Sequence, residues 1–132
     1  MSYGWSEHVG ELELWVEAAD EAGVFAEALR ALHELLGDGA TSGEREWRDV
    51  VAEGEDRAVL LAAWLEELNF LAETEGFTAE TAEDLALEPA RVRARVGGRR
   101  AAPPHLVKAV TYHRLAFERA DAGWRAVAVL DV

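Results

Sequence analysis

The stretch ELELWVEAADEAGVFAEALRALHELLGDG, residues 11–39, changes its apolar period once, and that change decides the fold. In its first eight residues Leu12, Leu14 and Val16 alternate with Glu11, Glu13 and Glu17. Alternation of this kind puts one face in a core and the other in water, which is a half-buried strand. From Asp20 onward the spacing becomes three and four. Phe25, Ala28, Leu29, Leu32, Leu35 and Leu36 fall on one helical face. Asp20 is placed to cap the helix start and Gly37 to stop it. A strand and a helix that each hide one face must be layered against each other, so the chain mixes α and β structure.

Downstream segments extend the pattern. EREWRDVVAE (44–53) reads as a second strand with Trp47 and Val51 in phase, reached through a glycine-containing loop. EDRAVLLAAWLEELNFLAETEG (55–76) is the clearest helix: Leu61, Trp64, Leu65, Leu68 and Leu71 keep the spacing, and Gly76 ends it. FTAETAEDLALEPARVRARVGG (77–98) reads as extended, interrupted at Pro89, with Arg91, Arg93 and Arg95 alternating with Val92, Ala94 and Val96. RRAAPP (99–104) reads as a loop. LVKAVTYHRLAFERA (106–120) and WRAVAVLDV (124–132) read as two strands joined through DAG in a hairpin. The expectation is a single two-layer α+β domain over residues 1–132, with two helices on one face of a mainly antiparallel sheet of about five strands.

Composition narrows the function. Half the residues are apolar and five are tryptophan, which excludes a disordered chain. The formal charge of −13, from 26 acidic against 13 basic residues, repels phosphate backbones. Tight direct binding of nucleic acid is therefore not expected; a hard cation or a basic protein partner suits the field. The absence of cysteine removes disulfides, thiolate zinc sites and cysteine nucleophiles. The opening MSYGWSEHVG lacks the basic start and apolar core of a signal peptide, and no apolar run reaches membrane-spanning length. A soluble cytoplasmic protein is expected.

No phosphate-binding loop is present: Gly97-Gly98 lacks both the P-loop lysine and the dinucleotide spacing. Ser2, Ser6 and Ser42 stand outside any nucleophile elbow, and His8, His33, His105 and His113 show no metal-ligand spacing. His33, within the first helix, reads as structural, and His113, beside Tyr112, as a satisfied half-buried side chain. The Arg91, Arg93 and Arg95 row reads as a solvated strand face, with contact to RNA or an acidic partner as the sharper alternative. Glu11 and Asp131 are in phase on two strands, and the terminal carboxylate of Val132 adds a third oxygen group. If the first and last strands are neighbours, three oxygen donors with waters suit Ca²⁺ or Mg²⁺ and no soft metal. Composition alone favours an ordinary solvated acidic edge.

VKAVTYHRLAFERADAGWRAVAVLDV, at the end of the chain, resembles the C-terminal signature of the archease family. EHVGELEL (7–14) is similar to the family's N-terminal EHTADIGI, and EDRAVLLAAWLEELNFLAETEGF to its leucine-rich central helix. The three segments keep the family's order across nearly the whole chain. The resemblance implies a small cytosolic α+β protein that is not itself an enzyme. It implies a cofactor of the GTP-dependent tRNA-splicing RNA ligase, speeding formation of the guanylate on that ligase's active-site histidine and so allowing multiple turnover. It also implies a divalent-cation site, usually holding calcium, with Mg²⁺ or Mn²⁺ as alternatives. Carried over, its ligands fall on Glu11, Asp131 and the terminal carboxylate of Val132. Glu11 stands where the family has aspartate, Val9 where it has threonine and Glu13 where it has glycine. A chaperone-like interaction module on the same fold, and a small metal-dependent enzyme using Glu11 and Asp131, are the competing readings.

Overall fold

The structure is a computed structural model that describes residues 1–37, 44–100 and 107–132, with only the backbone of His8. The glycine loop expected after Gly37, Ser42, His105 and most of RRAAPP lie outside the described residues. The elements run β1 (Ser2–His8), β2 (Glu11–Ala18), α1 (Glu21–Leu36), β3 (Glu46–Glu53), α2 (Arg57–Glu75), β4 (Phe77–Glu88), β5 (Arg91–Arg100), β6 (Ala109–Ala120) and β7 (Gly123–Asp131). The α+β class with two helices and antiparallel strands is as expected. The strands number seven, and they form two sheets, in the orders β1-β2-β7-β6 and β3-β5-β4.

Both helices touch strands of both sheets, and no strand of one sheet touches a strand of the other among the described residues. The helices therefore lie between the sheets, which explains their sequences. Helix α1 buries Phe25, Ala28, Leu29, Leu32 and Leu36, the stripe read from its spacing, and also Val24 and Ala31. Helix α2 is apolar over more of its circumference, burying Leu60, Leu61, Ala62, Trp64, Leu65, Leu68 and Ala72. A helix with a sheet on either side has no broad face left for water. At the centre the Trp64 indole N–H donates to the Phe25 carbonyl at 3.0 Å, and the two rings meet edge to face at 6.3 Å. Phe117 and Trp124 continue this aromatic row into β6 and β7.

The helix ends are set by local chemistry. Asp20 accepts from the Gly23 N–H at 2.7 Å, and Asp56 accepts from Val59 at 2.9 Å, each satisfying a first-turn donor. Gly76 closes α2 at φ +65°, a conformation that costs glycine nothing. Arg57 then pins the start of α2 to its surroundings, through Glu21 of α1 at 3.1 Å and the Glu88 carbonyl before the β4–β5 turn at 2.6 Å.

Three further sequence expectations change. The N-terminal residues form strand β1, whose Tyr3 and Trp5 pack on the core while its outer face is polar or small. Arg99 and Arg100 belong to β5 rather than to a loop, because β4 pairs with them from Thr78 and Phe77. In β3 the buried phase is Val50 and Ala52, whereas Trp47 and Val51 point outward. Trp47 has a surface role instead, with the Arg45 and Arg95 guanidinium groups over its ring at 5.0 Å and 4.7 Å. Arg91, Arg93 and Arg95 lie on the exposed face of β5, as the alternation implied.

Candidate functional site

Strand β7 is interior to its sheet, with β2 on one side and β6 on the other. Its last residue is therefore held from both directions. The register places Asp131 opposite Glu11 of β2 and opposite Ala109 of β6. Two further backbone bonds extend the clamp: Lys108 N–H donates to the Asp131 carbonyl at 2.8 Å, and Val132 N–H to the Gly10 carbonyl at 3.1 Å. Directly opposed residues in an antiparallel pair have Cβ atoms roughly 4.5–5.5 Å apart on the same face. The backbone thus brings Glu11 and Asp131 together on the sheet face turned away from the helices, with Val132 tied beside them.

The carboxylate of Glu11 already has a partner that the sequence did not reveal. Arg114 of β6 approaches Glu11 at 3.4 Å and Glu13 at 3.3 Å. It stands in an irregularity of the β6–β7 ladder, where Tyr112, His113, Arg114 and Leu115 face the single residue Ala128. Arg114 has φ +57°, a conformation uncommon outside glycine, asparagine and aspartate. The bulge also corrects the reading of His113, which is exposed rather than half-buried. The one sequence hint was the run Tyr112-His113-Arg114, where strict alternation breaks. His33, as expected, sits in the last turn of α1, half-buried.

Two side-chain carboxylates and one terminal carboxylate match a hard cation in charge and donor type, with waters completing the shell. Among the described residues no group of three or more His, Cys, Asp or Glu side chains is placed to hold a metal ion. The third protein donor would have to be the Val132 carboxylate, and Glu11 would have to be shared with, or released by, Arg114. Around the same end of the sheet Val9, Tyr112 and Val132 are exposed. A shallow groove beside it runs between α2 and the start of β6, lined by Glu66, Asn69, Phe70 and Lys108. There burial, and then the neighbouring Glu67 charge, raise the Glu66 carboxyl above its ordinary range. Asn69, buried beneath, donates to the Val107 carbonyl at 2.9 Å and so fixes the chain just before β6.

The model of the Archease protein family (MTH1598/TM1083) matches residues 3–132. The chain belongs to the archease family. It is 31% identical over 137 residues to the archease of Archaeoglobus fulgidus, each chain covered completely, and 34% identical over 134 residues to that of Methanopyrus kandleri, with 96% of each covered. The solution structure of Methanobacterium thermoautotrophicum protein 1598 superposes with a TM-score of 0.74 at 23% identity, covering 98% of both chains. A crystal structure from Thermotoga maritima, described as an archease and "possible chaperone", superposes at 0.63 with 17% identity, covering 96% of this chain and 94% of that one. These two superpositions concern the fold. Among the described residues of this archease no helix is long and apolar enough to cross a membrane.

Proposed function

We propose that this archease activates the GTP-dependent tRNA-splicing RNA ligase, a cytoplasmic enzyme that joins RNA ends carrying a 2′,3′-cyclic phosphate or a 3′-phosphate. It promotes guanylylation of the ligase's active-site histidine, and so multiple turnover, without joining RNA itself. The observation that carries this reading is the in-register opposition of Glu11 and Asp131 beside Val132, in a chain matched to archeases along its whole length. The three residues hold a divalent cation, Ca²⁺ with Mg²⁺ or Mn²⁺ as substitutes. Such an ion supplies positive charge to phosphate oxygens. This chain's part is to present its carboxylates on a rigid sheet end, rimmed by the exposed Val9, Tyr112 and Val132. A basic, RNA-handling enzyme is a suitable partner for a protein of charge −13, because complementary fields speed encounter.

The chaperone-like reading draws on the name of the Thermotoga maritima protein and on the same acidic surface. One assay separates the two. The guanylate formed on purified ligase is measured with no addition, with this protein, and with Asp131→Ala. Activation by the wild-type chain and strong loss in the variant is the expected result. Equal guanylylation in all three contradicts the proposal, and equal activation by both proteins favours a general folding aid.

A further inference from the structure

Arg114 and its two acceptors are separated by a whole strand. Arg114 belongs to β6, Glu11 and Glu13 to β2, and β7 runs between them. Its side chain must therefore lie across the outer face of β7. The residue beneath that path is Val129, paired with Glu13 on one side and Thr111 on the other. Val129 points away from the helices and lies outside the core cluster, yet none of its surface is exposed. Something on the outer face covers it, and the bulge at Tyr112–Leu115 with the Arg114 side chain is placed to do so. The left-handed backbone at Arg114 costs free energy, and such outliers persist where the surroundings hold them. The Arg114 side chain is directed from that backbone to the two carboxylates.

We propose that Arg114 is a built-in counter-cation for Glu11 and Glu13, and that its guanidinium competes with a divalent cation for Glu11. This inference rests on the cation reading of Glu11 and Asp131. Without a bound ion, the guanidinium offsets the repulsion among carboxylates crowded at the sheet end. When an ion binds, Glu11 turns from Arg114 toward Asp131, and Arg114 keeps Glu13. Glu13 then serves as the resting place of the displaced guanidinium, which gives a purpose to an acidic residue where the family resemblance implies glycine. Because Arg114 is the residue that leaves, it sets how tightly the site holds an ion without touching that ion.

Calcium titration by calorimetry tests this on the full chain with Arg114→Gly, Arg114→Lys, and Arg114→Gly combined with Asp131→Ala. Glycine takes the left-handed conformation freely, so the first variant removes the charge without straining the backbone. Partly exposed ion pairs are weak, so the expected tightening in Arg114→Gly is about three- to tenfold in Kd. Arg114→Lys should lie between it and wild type, and the added Asp131→Ala should abolish the gain. Unchanged affinity in Arg114→Gly overturns this inference and leaves the cation site standing. A gain that survives Asp131→Ala overturns it as well, since the gain then arises elsewhere. No calcium binding by wild type or any variant overturns the inference and the cation reading together.

Discussion

Glu11 is a residue whose place was legible and whose partner was not. Strict alternation in ELELWVEA put its side chain on the outer face, and the in-phase reading of the terminal strand did the same for Asp131. Their meeting followed once the first and last of the strands read from sequence proved to be neighbours. Arg114 was hidden because its reach depends on a bulge, and a bulge changes which face a residue serves without changing the residues around it. The length of Glu11 now has a physical consequence. Its carboxylate extends far enough to pair with Arg114 at 3.4 Å. Glu11→Asp draws that carboxylate back toward its own strand, away from the guanidinium and toward Asp131. The variant should bind calcium as tightly as wild type or more tightly by calorimetry; a clear loss of affinity would show that the longer side chain is itself the better ligand.

Among the elements, helices are the most legible in the sequence and strand phase the least. Helix α1 kept its stripe, its Asp20 cap and its Gly37 stop because these signals are local. Helix α2 starts one residue after Asp56, whose capping bond to Val59 fixes the boundary. Replacing that carboxylate should cost about 1 kcal/mol, the usual worth of an N-cap. Asp56→Ala is therefore expected to lower the melting temperature by a few degrees while the circular dichroism at 25 °C is unchanged; an unaltered melting curve would mean the cap is redundant with Arg57. In strand β3 Trp47 and Val51 do share a face, but it is the outward one, and the buried phase is Val50 and Ala52. Trp47 earns its place under two guanidinium groups, an outward arrangement that an apolar residue count does not distinguish from burial. Strand β1 has little strand signal because SYGWSEH mixes small, polar and aromatic residues without a run of β-branched ones. Its register opposite β2 supplies the order that its composition lacks.

For the whole molecule, the α+β class was legible because two strongly periodic helices and several alternating strands leave few ways to bury their faces. The division into two sheets was not, since a strand's sequence does not name its neighbour. The broad apolar surface of α2 was the available sign, as only a helix enclosed from both sides needs it. That sandwich turns the outer face of the larger sheet away from the helices, and the carboxylates stand at its end, away from the core they would otherwise disturb. An acidic, partly apolar sheet end is what the proposed docking to another protein requires. The most direct measurement of that claim counts RNA molecules joined per molecule of ligase, under GTP and divalent metal, with this archease present at a small fraction of the ligase concentration. Each ligase molecule is expected to join many RNAs when the protein is present and about one when it is absent. An equal count with and without it would contradict a role as activator of the ligase.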